Sequence, residues 1–207
     1  MLVEYVQSHD IIYGMILLCY SGVVLYTRKG DSGTTKVLNS QARFSKSAPR
    51  AEALGALDEL NSFLGLCKAK SREVDVGLGG GKKLSECIED AQQNLFIVQA
   101  QVAGSALEIA EEKVKRIEQV VDAIEKEIPK ITGFSIVGGT ELSAFLDVAR
   151  AMSRRVERRV IALNESEERK MSGHTLPYLN RLSSLLFALA RYVNHKAGVK
   201  EQNPTYK

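Results

Sequence analysis

Hydrophobic positions recur every three or four residues along most of the chain after residue 48, which is the spacing of one face of a helix. The pattern is cleanest between residues 111 and 128, where Pro129 ends it. Two glycine-containing stretches, 74–83 and 133–140, interrupt the pattern and predict a flexible linker and a loop. The predicted helices cover residues 49–69, 84–107, 111–128, 141–164 and 175–196.

Five helices joined by short connections favour an all-α fold, an up-and-down five-helix bundle of the ferritin-like kind. Strands and helices do not alternate, which argues against a parallel sheet. We expect one helical domain over residues 26–198, with an N-terminal extension at 1–25 and a tail at 199–207.

The extension contains an apolar run, residues 11–26. Glu4 and Asp10 precede it, where a signal peptide carries positive charge. The run is also short for a membrane-spanning helix, which needs about 20 apolar residues. We therefore expect an extension that forms a strand or docks on the bundle, and Met15 is a candidate start residue.

Composition narrows the classes of function. The net charge of +3 and an aromatic content of 6% give no support to a nucleic-acid partner. The three cysteines, Cys19, Cys67 and Cys87, are widely spaced and odd in number, so neither a disulfide framework nor a metal site is predicted. A reducing, cytoplasmic location follows as the expectation.

The segment YTRKGDSGTT, residues 26–35, combines two glycines, three threonines and two cations. Glycines let the backbone turn sharply and approach a ligand, and successive amides in such a turn bind anions. The segment therefore indicates an anion-binding loop, and a plain β-turn with solvated lysines is the alternative.

A second candidate feature lies in the fourth helix, whose sequence ARAMSRRVERRV places arginines at steps of four. Arg150, Arg154 and Arg158 form one column and Arg155 and Arg159 form another. Guanidinium groups at this spacing repel each other, and they suit bidentate binding of phosphate or carboxylate. The columns predict an anionic partner; a surface helix with loose counterions or a nucleic-acid interface would use the same residues.

Asp58 and Asn180 lie among leucines in the first and last helices. A buried carboxylate or amide there would need a partner. Either residue is equally an ordinary residue of a helix surface.

In order along the chain, YTRKGDSGTT, PRAEALGALDELNSFLG, FSIVGG, ARAMSRRVERRV and NRLSSLLFALARY resemble the motifs of the PduO-type ATP:cob(I)alamin adenosyltransferases, over residues 26–195. The resemblance implies a homotrimer with sites between subunits. It implies transfer of the 5′-deoxyadenosyl group of ATP to the cobalt of reduced cobalamin, with magnesium and release of triphosphate. A reductase and an adenosylcobalamin-dependent enzyme are implied partners, and no membrane or nucleic acid is expected.

The same motifs imply the site residues. The catalytic set is Asp58, Phe134, Arg150 and Arg154, with Asp58 and Arg150 bridging two subunits and Phe134 closing the lower face of the corrin ring. Alternatively, Phe134 anchors its loop to the bundle. The nucleotide-binding set is Thr27, Arg28, Lys29, Gly30, Thr34, Thr35, Lys46, Arg154, Arg155, Glu157, Arg158 and Asn180.

The chain departs from the family pattern at two positions. Ser184 stands where the pattern has Asp, which puts a hydrogen bond near the last helix in doubt. Val137 stands where the pattern has Pro, which predicts a looser loop around Phe134.

A non-catalytic trimer that binds ATP and cobalamin, as a regulator or cofactor chaperone, is the alternative function.

Overall fold

The computed structural model describes residues 26, 28–37, 42–74, 77–78, 81, 83–166 and 169–206, so the predicted extension 1–25 and Thr27 lie outside the described residues. In the described part the chain forms five α-helices and one antiparallel pair of two-residue strands, which confirms the all-α prediction. The helices are α1 Pro49–Ser71, α2 Leu84–Ala103, α3 Glu111–Glu127, α4 Glu141–Glu165 and α5 Thr175–Lys196, and the strands are β1 Thr34–Thr35 and β2 Phe44–Ser45.

Local sequence signals set the helix ends. Pro49 begins α1, because proline at a first helical position loses no hydrogen bond. Thr140 caps α4 by accepting the Ser143 N–H at 3.1 Å. Gly104 ends α2 with a φ of 113°, a left-handed conformation that favours glycine. The prediction that this helix runs to Leu107 is therefore wrong.

Contacts between the helices give their directions. α1 runs antiparallel to α2 and to α4, α4 runs antiparallel to α5, and α3 packs parallel to α5. Successive helices therefore alternate in direction, as the up-and-down prediction requires. The contacts are Gln92–Asn61, Arg50–Val102, Glu52–Arg159, Glu59–Arg155, Asp147–Arg191, Glu157–Asn180, Glu118–Arg181 and Glu127–Lys196.

The glycine-rich connection between α1 and α2 docks on the bundle in its described part. Leu78 is 6% exposed and joins the core. The hydroxyl of Tyr192, itself buried, donates to the carbonyl oxygen of Gly77 at 2.8 Å. The sequence prediction of a flexible linker is thus wrong for these residues, since an apolar contact and a hydrogen bond hold them. No helix in the described ranges combines the length and apolar character needed to cross a membrane.

Cys67 and Cys87 are buried, and Cys67 is a free thiol. Burial raises the pKa of the Cys67 thiol to about 12, and the thiolate is the reactive form. We expect iodoacetamide at pH 8 to leave Cys67 unmodified in the folded protein and to alkylate it fully in guanidinium chloride, as read by peptide mass spectrometry. Rapid alkylation of Cys67 in the folded protein would contradict its burial in the bundle core.

Candidate functional site

The glycine turn before α1 is held by a side chain that sequence reasoning did not single out. Arg43 donates from Nε to Thr34 Oγ1 at 2.9 Å, and from Nη2 to the carbonyl oxygens of Thr34 and Lys29 at 2.8 and 2.5 Å. These bonds fold the turn back on the strand pair. Nothing in the spacing of Arg43 marks this role, because it depends on the register of β1 against β2, which pairs Thr34 with Ser45.

Lys46, the residue directly after β2, reaches the same turn. Its N–H donates to the Gly33 carbonyl oxygen at 2.9 Å, and a Cβ added at Gly30 would lie 3.1 Å from its Nζ. Gly33 has a φ of 74° and Arg28 a φ of 57°. The structure therefore brings the predicted lysine to the predicted turn, and a side chain at Gly30 would crowd the ammonium group.

The two arginine columns of α4 have different surroundings. Arg155 and Arg159 form ion pairs with Glu59 and Glu52, which face them from the antiparallel α1. Helix packing therefore supplies these two arginines with anionic partners within the chain, and the assignment of Arg155 to nucleotide binding stays a prediction. Because these two arginines are paired, they offer less positive charge to a nucleic acid, which weakens that alternative.

The other column remains on the surface. Arg154 and Arg158 are exposed, and Arg158 Nη1 donates to the Arg154 carbonyl oxygen at 3.1 Å. Arg150 is half-buried, and its Nε lies 3.4 Å from Asp147 Oδ1. Two exposed guanidinium groups one turn apart form a surface suited to several phosphate oxygens.

Asn180 lies beside this column. Its Nδ2 donates to Glu157 Oε1 at 2.9 Å, and Arg181 Nη1 donates to its Oδ1 at 2.8 Å. Two predicted nucleotide-binding residues, Glu157 and Asn180, are therefore in direct contact. Asn180 and Asp58 are both exposed, so the interpretation of these two as buried polar groups is wrong: each points away from its flanking leucines.

Phe134 lies in the α3–α4 connection and is 79% exposed. Ile136 and Val137 beside it are also exposed, at 55% and 59%. Within this chain Phe134 therefore does not anchor its loop to the bundle, and that alternative is wrong. A large aromatic ring in water is suited to packing against another molecule.

Two surface clefts meet at Arg150. One, of about 600 Å³, joins the loop to α4 and is lined by Val137, Gly138, Val148 and Arg158 among others. The second, of about 340 Å³, lies between α3 and α5, with Arg154, Ser184 and Phe187 in its lining. Apolar walls with guanidinium groups at the edge suit a ligand that has both a large ring and an anionic part.

Comparison with known proteins shows the family to which the chain belongs. The family described as Cobalamin adenosyltransferase matches residues 25–193. The chain belongs to the cobalamin adenosyltransferase family. The resemblance seen in the sequence motifs is confirmed.

Members of the cobalamin adenosyltransferase family resemble the chain along most of its length. The corrinoid adenosyltransferase of Bacillus subtilis (strain 168) is 37% identical over 179 residues, which cover 84% of this chain and 89% of that protein. Corrinoid adenosyltransferase PduO of Citrobacter freundii is 34% identical over 182 residues, 84% of this chain; the chain spans only 51% of that protein.

A solved structure gives the same result for the fold. A variant of the PduO-type ATP:corrinoid adenosyltransferase from Lactobacillus reuteri, complexed with cobalamin and ATP, matches with a TM-score of 0.76 at 30% identity. The match covers 88% of this chain and 99% of that one.

Proposed function

We propose that this protein transfers the 5′-deoxyadenosyl group of ATP to the cobalt of cob(I)alamin, giving adenosylcobalamin and triphosphate. The observation that carries the proposal is the exposed pair Arg154 and Arg158 beside Glu157 and Asn180, in a chain of this family. The relative complexed with cobalamin and ATP supports the choice of substrates.

The reaction displaces triphosphate from the 5′-carbon, so negative charge grows on the oxygen that leaves. Arg154, Arg158, Lys46 and the amides of the Gly30–Gly33 turn are the groups suited to stabilise that charge. Cobalt is the nucleophile, so no activated serine or cysteine is required. Holding cobalt and carbon in line provides a further part of the rate enhancement.

Magnesium fits this site as a companion of the triphosphate. In the ranges described, no cluster of three or more His, Cys, Asp or Glu side chains forms a metal site. Mg²⁺ is commonly held by substrate phosphates with one or two carboxylates, and Glu157 is a carboxylate directly before Arg158 in the chain. When bound, the ion would neutralise part of the phosphate charge.

The proposal also gives a role to Phe134, because its side chain is exposed. An aromatic ring against the lower face of the corrin would exclude water and the nucleotide base of the cofactor from the axial position of cobalt. Cob(II)alamin without that ligand is easier to reduce, because the axial environment tunes the metal.

A homotrimer with sites between subunits is also part of the proposal. Asp58 is exposed, and Arg150 opens into both clefts. Val137 and Val148 present apolar surface beside them. A neighbouring subunit would cover that surface and let Asp58 pair with Arg150 across the boundary. The free thiol of Cys67 supports a cytoplasmic location.

We expect Arg154→Ala to weaken ATP binding by at least about 1 kcal/mol, a roughly fivefold change in Kd, because a charged hydrogen bond to phosphate is lost. Isothermal titration calorimetry measures it. Arg116→Ala is the matched control, since Arg116 is exposed and faces Asp90 at 3.5 Å on the other side of the bundle. Equal ATP affinity in the two variants would contradict the assigned site.

The activity itself is tested by mixing the protein with ATP and chemically reduced cobalamin and following the absorbance of adenosylcobalamin. Formation of the product with repeated turnover supports the enzyme. Binding of both molecules without product would instead establish the regulator or chaperone alternative.

A further inference from the structure

The C-terminal segment, residues 199–206, lies against the loop that carries Phe134. The Ile136 N–H donates to the Gln202 carbonyl oxygen at 2.8 Å. A Cβ added at Gly133 would lie 3.7 Å from Asn203 Nδ2. Backbone on both sides of Phe134 is therefore in contact with this segment, which comes after the last helix.

Asn194 fixes the other end of the same loop from α5. It is 1% exposed, its Nδ2 donates to the Gly138 carbonyl oxygen at 2.8 Å, and its Oδ1 accepts the Thr140 N–H at 3.0 Å. Gly139 lies between these contacts with a φ of 107°, and a Cβ there would be 2.6 Å from Asn194 Oδ1. The loop backbone is therefore in close contact with the amide side chain of Asn194.

Glu201 joins the segment to this amide. Its Oε1 accepts from Asn194 Nδ2 at 2.7 Å and lies 2.8 Å from Arg191 Nε. Arg191, 3% exposed, donates from Nη2 to Asp147 Oδ2 at 2.5 Å. Asp147 Oδ1 in turn faces Arg150. One continuous network therefore links the C-terminal segment, the Phe134 loop and an arginine of the proposed site.

The network is largely removed from water, where charged hydrogen bonds are strong and unpaired groups are costly. Asp147 and Arg191 neutralise each other within the helices. Glu201 belongs to the tail, and its side chain keeps 21% of its surface exposed. Removing its carboxylate would therefore break the side-chain link from the tail to Asn194 and Arg191 while leaving the helical pair in place.

We propose that Glu201 and Asn194 are positioning residues, which hold the Phe134 loop in the place where its aromatic ring meets the corrinoid. This inference rests on the proposed function. These two residues contact the loop and each other: Asn194 holds the backbone at Gly138 and Thr140, and Glu201 accepts from Asn194. Their effect therefore falls on the step that depends on Phe134 and spares the binding of ATP.

The test compares Glu201→Ala with Glu201→Gln, which keeps an acceptor for Asn194 but loses the charge. For Glu201→Ala we expect faster hydrogen–deuterium exchange in the loop, at the amides of Ile136 and Thr140. We also expect a smaller four-coordinate cob(II)alamin signal in electron paramagnetic resonance with ATP bound. Adenosylation from cob(II)alamin should be at least about fivefold slower, and the Kd for ATP within about twofold of the parent protein. For Glu201→Gln we expect the exchange, the cob(II)alamin signal and the rate to lie between those of the parent protein and those of Glu201→Ala.

Glu127→Ala is the matched control. Glu127, the last residue of α3, accepts from Tyr192 and Lys196 near the same end of α5, and these bonds involve neither the tail nor residues 133–140, so its loss tests general loosening of that helix end. Equal exchange and equal cob(II)alamin signals in the Glu201→Ala and Glu127→Ala variants would overturn the proposal, and so would a matching loss of ATP affinity. Absence of adenosylation from chemically reduced cob(I)alamin in the parent protein would instead refute the proposed function, and the exchange experiment would still decide whether Glu201 and Asn194 hold the loop.

Discussion

Phe134→Ala is expected to slow the formation of adenosylcobalamin from cob(II)alamin by on the order of 10- to 100-fold, the range seen when groups around a metal ligand are removed. An alanine cannot cover the lower face of the corrin, so an axial ligand stays on cobalt and reduction is harder. The side chain is 79% exposed in this chain, so its removal costs little core packing. The measurement is the rate of appearance of adenosylcobalamin absorbance with a chemical reductant and ATP.

Ile136→Ala provides the comparison, since Ile136 is another exposed apolar residue of the same loop. We expect it to have a much smaller effect on the rate. The Kd for ATP should change little in the Phe134→Ala variant. If ATP affinity collapsed, or if both variants lost the same activity, a general disturbance of the loop would explain the result better than contact with the corrin.

Asp147→Ala is expected to lower the free energy of unfolding by about 3 kcal/mol, because it leaves the guanidinium of Arg191 buried without its principal partner. The side chains of Asp147 and Arg191 are only 4% and 3% exposed. Glu201 still faces Arg191, which places the loss at the lower end of the range for broken buried pairs. Guanidinium chloride unfolding at a fixed protein concentration measures it, since assembly would make stability depend on concentration.

Asp122→Ala is the control for this measurement. Asp122 is an exposed carboxylate of α3, and its removal should change stability by less than about 0.5 kcal/mol. A loss below about 1 kcal/mol for Asp147→Ala would mean that water or Glu201 compensates the arginine. In that case the buried network would not hold Arg150 and the Phe134 loop in place, although its distances indicate that it does.

Asp147 also shows why one network can serve both stability and the site. Its Oδ2 neutralises Arg191, and its Oδ1 faces Arg150. A carboxylate shared between a buried and a half-buried guanidinium fixes where the second one can point. The sequence alone assigned no role to Asp147, because a spacing of three residues from Arg150 does not reveal that its carboxylate is buried.

The sequence by itself determined the helices and the family. Apolar residues at steps of three and four, with Pro49 and Pro129 as boundaries, place all five helices to within a few residues. The five motifs identify the family from sequence alone, because each motif is a short run of neighbouring residues. The predicted end of α2 was wrong, since Gly104 in a left-handed conformation stops a helix that its apolar pattern would continue.

Only the tertiary structure decided which polar groups find partners inside the chain. Arg155 and Arg159 look like Arg154 and Arg158 in sequence, yet α1 supplies carboxylates to the first pair. The same holds for the contacts of Arg43 with the glycine turn and of Asn194 with Gly138. These contacts join residues distant along the chain, and their existence depends on how the helices and strands pack, which periodicity along one segment does not encode.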